Sequence, residues 1–216
     1  MADPDSRKGS RYANQDILEF VERLHAPHDP ALERAFRAPE EQGLPAIQIS
    51  ATEGKILTLL LRMIGARKVI EVGTLAGYSA LRMAAALPAD GRLISLELLP
   101  EHAAVARRNA AGFAGRIEVR VGDALELLPE LQSFAPADAM FIDADKGRYP
   151  EYLDWAIRLL RKGGLLLADN VYLFGRLLED SPEAAAMRRF HEQAARHFDT
   201  VCLPTPDGML VGIRST

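Results

Sequence analysis

Asp143, Asp145, Lys146 and Tyr149 follow directly on the apolar run Met140-Phe141-Ile142, and Asp169-Asn170 follow a second such run, Leu165-Leu166-Leu167-Ala168. Apolar runs of this length read as buried strands. In open α/β sheets, ligands bind just beyond the carboxyl ends of strands, which is where these groups fall. Asp143, Asp169 and Asn170 together offer two carboxylates and an amide carbonyl. Such a hard, all-oxygen set suits Mg²⁺, Mn²⁺ or Ca²⁺ rather than zinc. Lys146 stands beside this set.

The elements that must position these residues alternate. Residues 1–10 read as a disordered tail and 11–216 as one domain, with a helical preamble over 11–65 and a sheet core over 66–216. Helical spacing marks 12–25 and 32–42. Ser50-Ala51-Thr52-Glu53 is a capping-box pattern opening a third helix. Strands are expected at 68–72, 92–97, 116–121, 137–142 and 165–168. Helices are expected at 78–87, 100–111, 124–134, 149–160 and 182–197, with Gly163-Gly164 ending the fourth of these. Two final runs, 200–203 and 209–214, flank a short turn and so must pair antiparallel. The expectation is a doubly wound, seven-stranded, mostly parallel α/β sheet with an antiparallel edge.

Composition narrows the function classes. At 216 residues the chain can bury a sizeable core. A net charge of −4 gives no basic footprint for nucleic acid. No apolar run reaches the roughly 18 residues needed to span a bilayer, so no membrane role is expected. The single cysteine, Cys202, is compatible with a reducing compartment, and a cytoplasmic location is expected.

Glu71-Val72-Gly73-Thr74-Leu75-Ala76-Gly77-Tyr78-Ser79 joins the first strand to a helix. A dinucleotide fingerprint needs a second glycine where Leu75 stands, and a carboxylate at Glu71 repels pyrophosphate but attracts a cation. Glu97, ending the second strand, is placed to accept both hydroxyls of a ribose. Gly122-Asp123-Ala124, after the third, is placed to edge an adenine ring.

Taken together, these motifs resemble the cation-dependent, S-adenosylmethionine-using O-methyltransferases of the catechol and caffeoyl-CoA type. The resemblance rests on Ser50–Gly54, Glu71-Val72-Gly73 with Gly77-Tyr78-Ser79, Phe141–Lys146 and Asp169-Asn170-Val171, with Leu203-Pro204 and Asp207-Gly208 near the end. It covers about residues 12–214 and implies a Rossmann-like fold. It implies that Asp143, Asp169 and Asn170 ligate the metal, and that Lys146 is the candidate catalytic base, with Asp143 contributing to catalysis as well. It also implies that Ile47, Ile49, Glu71, Gly73, Thr74, Ser79, Glu97, Asp123, Ala124 and Asp143 contact S-adenosylmethionine. A small phenolic acceptor with adjacent hydroxyls and a homodimer are further implications. The rival readings are a nicotinamide-dependent oxidoreductase, against which Leu75 and Glu71 argue, and a non-catalytic binder on the same fold.

The chain departs from the family's pattern in three places, one of them Pro206, which stands where a glycine is common before Asp-Gly. Arg148 stands where the family commonly has asparagine, and is read as solvent-facing rather than as a partner for an acidic acceptor. Leu173 or Phe174 occupies the region where the family often has a tryptophan near the acceptor. Asp145 and Tyr149 are read as supports, Trp155 as packing, Cys202 as a small buried hydrophobe, and His191 and His197 as surface or core residues.

Overall fold

The computed structural model describes residues 14–113 and 115–215, so the tail expected over 1–10 lies outside the described residues. Three helices lead: α1 (Gln15–His25), α2 (Pro30–Glu41) and α3 (Ala51–Met63). Strands and helices then alternate as β1 (Lys68–Val72), α4 (Tyr78–Ala84), β2 (Arg92–Glu97), α5 (Pro100–Asn109), β3 (Ile117–Val121), α6 (Ala124–Leu127), β4 (Ala137–Ile142), α7 (Tyr149–Leu159) and β5 (Leu160–Ala168). The chain closes with α8 (Pro182–His197), β6 (Phe198–Leu203) and β7 (Met209–Arg214).

The sheet order is β3-β2-β1-β4-β5-β7-β6, parallel except where β7 pairs antiparallel with β5 and β6. This is the doubly wound, seven-stranded sheet that the alternation implied. Strand order reverses between β1 and β4, which pair side by side. Ligands of such sheets sit in the crevice beyond the carboxyl ends at that switch point.

Because side chains alternate across a strand, each central strand feeds two cores. Ile70, Val72, Ile94, Leu96, Met140 and Ile142 pack beneath α7 and α8 with Leu153, Met187 and Phe190. Val69, Leu93, Ala139, Phe141 and Leu167 pack on the other face against Leu57 and Leu61 of α3 and Leu81 and Met83 of α4. The same alternation puts Glu71, Ser95 and Glu97 on the α4 face, with Glu71 and Ser95 directly opposite across the β1–β2 pair.

The capping box holds: the Glu53 N–H donates to Ser50 Oγ at 3.1 Å, and the Ser50 N–H donates to Glu53 Oε2 at 2.9 Å. Other boundaries differ from the sequence reading. The helix expected over 124–134 is the single turn α6 followed by a 3-10 segment, Leu128–Ser133. Pro129 has no N–H to give the Leu125 carbonyl, which disfavours continuing the α-helix through it. Helix α4 stops at Ala84, short of Pro88, which disfavours helical backbone before it. Gly163 and Gly164 do not end α7. That helix stops at Leu159, and β5 runs through both glycines, with a register shift against β4 between Ala137 and Ala139.

Candidate active site

A cavity of about 730 Å³ opens along the carboxyl edge of the sheet. Its walls come from each strand end in turn: Gly73 to Ala76 after β1, Glu97 at the end of β2, Gly122 to Ala124 after β3, and Asp143 to Lys146 after β4. Ile47 and Ile49, from the α2–α3 connection, close one side. The helical preamble thus builds part of the site as well as part of the core.

The turn after β1 depends on glycine at Gly73. Its φ is +93°, and a Cβ there would lie 2.0 Å from the Asp143 carbonyl oxygen. The turn and the end of β4 are therefore in backbone contact, which only glycine permits. Leu75 adopts a left-handed φ of 49°. The conformation is one that glycine favours, yet a leucine holds it, packed beside Ala38, Ala76 and Val105 at the cavity wall.

Glu71 does not line the cavity. It is fully buried behind the turn, where Ser79 and Ser95 each donate a hydroxyl to one of its carboxylate oxygens, and Ser95 also pairs with Thr74. Burial pushes its pKa up to about 8 against the lowering effect of the two serines, and the nearby Asp143 and Glu97 push it further. The expected direct contact with a cationic ligand gives way to a supporting role, because the pleat directs this side chain at α4.

Glu97 does line the cavity, but its carboxylate is already engaged. Oε2 accepts from the N–H groups of Thr74 (3.0 Å) and Leu75 (2.8 Å), and Oε1 accepts from Leu99 (3.0 Å). Three of the roughly four acceptor sites on a carboxylate are thus taken by backbone donors. In exchange the acid is locked in place at the cavity wall.

The reactive cluster lies at the ends of β4 and β5. Lys146, only 8% exposed, donates to Asp143 Oδ1 and to Tyr149 Oη, each at 2.9 Å. Tyr149 is buried and donates its hydroxyl to the Asp169 carbonyl at 2.9 Å. Its pKa is held well above the usual phenol value, by burial first and then by Asp143 and Asp169. Tyr149 thus ties the lysine to both strand ends, as a support should. Asp169 is 3% exposed, and its Oδ1 is buried without a hydrogen-bond partner. Burial, and then the charges of Asp143 and Glu53, raise its pKa to about 7.

Asn170 lines the cavity beside them, at a left-handed φ of 54°, a region asparagine tolerates. Asp207 accepts from the Phe174 N–H at 2.8 Å through Oδ1, and its Oδ2 is also buried without a partner. Among the described residues no three His, Cys, Asp or Glu converge on a metal position; the candidate set is two acids and an amide. That set fits a hard divalent cation. An orphaned buried carboxylate oxygen repelled by a second carboxylate is destabilised as it stands, and a cation between them would remove the repulsion.

Several contacts were not legible in the sequence. Arg148 does not face solvent freely: it forks onto Asp123, with Nη1 to Oδ2 at 2.9 Å and Nη2 to Oδ1 at 2.7 Å. Asp145 accepts the Tyr152 hydroxyl, as a support. His191 bonds the Val171 carbonyl at 2.9 Å, and Trp155 packs against the core from its surface with Arg158 over its ring. Cys202 is only partly buried. The Ser95 contact had a sequence signal, since a polar residue between Leu93 and Glu97 shares their face of a buried strand. Asp207 had none beyond its place beside Gly208.

Comparison with known proteins agrees with the resemblance. The O-methyltransferase family model matches residues 24–215. A catechol O-methyltransferase of Niastella koreensis is 43% identical over 184 residues, 82% of this chain and 83% of its own. A catechol O-methyltransferase of Mycobacterium tuberculosis is 43% identical over 186 residues, 84% of each. The crystal structure of the O-methyltransferase TomG of Streptomyces achromogenes, in complex with S-adenosylmethionine, superposes with a TM-score of 0.87 at 35% identity, covering 93% of this chain and 96% of that one. An O-methyltransferase from Bacillus cereus in complex with S-adenosylhomocysteine gives 0.86 at 35% identity, covering 91% and 96%.

Proposed function

The chain belongs to the O-methyltransferase family, and from that premise we propose that it moves the methyl of S-adenosylmethionine to a hydroxyl of a small aromatic acceptor with adjacent hydroxyls, assisted by a divalent cation. The observation that carries the metal part of this reading is Asp169: buried, with one oxygen unpartnered and its pKa raised to about 7 beside Asp143. Asp143, Asp169 and Asn170 would hold the cation. Bound there, Mg²⁺ would supply Lewis acidity that lowers the pKa of an adjacent acceptor hydroxyl.

The chain's own residues divide the remaining work. Glu97 and the Gly73 turn would seat the donor's ribose and methionyl parts, with Gly122 to Ala124 beyond the ribose for the purine. Ile47 and Ile49 would cover the methionyl side and exclude water. Asp143 joins donor and metal ends, since its backbone packs on Gly73 and its carboxylate binds Lys146. Lys146 in its neutral form would take the acceptor's proton; as an ammonium it would stabilise the oxyanion left after proton loss. Bound in the cavity, S-adenosylmethionine would supply an electrophilic methyl to the acceptor oxygen, and S-adenosylhomocysteine would be left. Most of the acceleration would come from holding the two reactants together. Phe174, 60% exposed at the cavity rim, offers an aromatic wall for the acceptor. The apolar face of α1, with Ile17, Leu18, Phe20 and Leu24 all largely exposed, supports a homodimer.

The test is methyl transfer to a panel of catechols. Turnover should vanish in excess chelator and return with Mg²⁺. Asp169→Asn should lose on the order of 10²-fold or more in kcat, the scale of losing one electrostatic contact to the transition state, while still binding S-adenosylhomocysteine. Undiminished turnover in chelator would refute the metal assignment.

A further inference from the structure

We infer that Arg148, held in a fork by Asp123, is a donor-binding residue that forms the wall against which the purine of S-adenosylmethionine lies. The inference rests on the donor assignment above and deepens it. It begins from a contact between loops distant in sequence. Asp123 is the N-cap of α6, accepting from the Leu125 N–H at 2.8 Å, and Arg148 immediately precedes α7. The two helices lie on the same face of the sheet, where Leu128 and Leu131, which follow α6, share a core with Leu153 of α7. The Asp123–Arg148 pair spans the gap between their N-termini, and both residues line the cavity.

The pair belongs to a closed circuit. The guanidinium carbon lies 5.8 Å from the Tyr152 ring centroid, Nε is 3.9 Å from Asp145 Oδ2, and the Tyr152 hydroxyl donates to Asp145. Two-point pairing to a carboxylate fixes the plane of a guanidinium as well as its position. The Arg148 contact is also the main reason the Asp123 pKa lies below the usual carboxylate range. A flat cation held in plane can stack on an aromatic ring. The Asp123 carboxylate, taken up by Arg148 and Leu125, would otherwise be the natural acceptor for the purine's exocyclic amine. Glu97 stands at the adjacent strand end for the ribose. A donor laid along this edge with its sulfonium toward Asp143 carries its purine to Gly122–Ala124, beside the fork.

The experiment is calorimetry with S-adenosylhomocysteine and with 5′-methylthioadenosine, which keeps the purine and ribose but lacks the amino-acid end. Arg148→Ala should weaken both ligands by the same factor, about tenfold, the scale of a partly desolvated cation–π contact. Arg148→Lys, which keeps the charge but cannot fork, should fall between. The KM for S-adenosylmethionine should rise along with the Kd of these ligands, while the KM for a carboxylated catechol should not rise relative to that for catechol. Loss of S-adenosylhomocysteine alone would move Arg148 to the amino-acid end and overturn the inference. So would unchanged binding of both ligands, or a raised KM confined to the carboxylated catechol. Should Arg148→Ala not fold, Arg148→Lys and Asp123→Asn decide it by the same criteria. A wild-type chain that binds neither ligand would instead overturn the donor assignment.

Discussion

Replacing Glu71 by glutamine removes a buried ionisable group while keeping its shape. The carboxyl is fully buried, and its pKa stands at about 8 against an ordinary 4.5. Between those values the folded protein keeps a proton that the unfolded chain has released. Folding then binds protons, so stability must fall as pH rises through this window. At about 1.36 kcal/mol per pKa unit, the full fall is about 5 kcal/mol, complete above pH 8 and absent below 4.5. Glutamine has no such slope. Its carbonyl can accept from one serine hydroxyl and its amide can donate to the other, so the variant should lie within about 1 kcal/mol of wild type at pH 5. Urea denaturation of both proteins from pH 5 to 9, with chelator and without donor, measures the difference directly. The variant should gain several kcal/mol on wild type across the series. Parallel pH profiles would show that Glu71 is ionised in the fold and that the burial argument is wrong.

Two further substitutions test the contacts that join the strand ends. Gly73→Ala should cost roughly 3 kcal/mol or more, from a Cβ driven into the Asp143 carbonyl at a φ that side chains avoid; a urea midpoint unchanged from wild type would contradict the close approach. Tyr149→Phe should cost about 1–3 kcal/mol by leaving the buried Asp169 carbonyl without its donor, and should lower kcat more than donor affinity because Lys146 loses one of its two anchors. Equal kcat at saturating substrates would show that Tyr149 does not position the lysine.

The sequence by itself determined which residue types stand at the strand ends. Strand-helix alternation, read from hydrophobic period and turn residues, was enough to put Asp143, Lys146, Asp169 and Asn170 at one edge, since parallel connections leave little freedom in where a strand's carboxyl end points. The glycine turn and the capping box were legible for the same reason, being local. Tertiary structure alone decided how each side chain is used. Glu71 turned from ligand contact to buried support because Ser95, 24 residues away, lies opposite it across β1 and β2. Arg148 turned from solvent to the Asp123 fork because two crossovers bring the N-termini of α6 and α7 side by side. Glu97 lost acceptor capacity to the N–H groups of Thr74 and Leu75 in the turn after β1. These outcomes depend on distances between elements far apart in the chain, and a residue's local pattern carries no information about which partner the packing will bring to it.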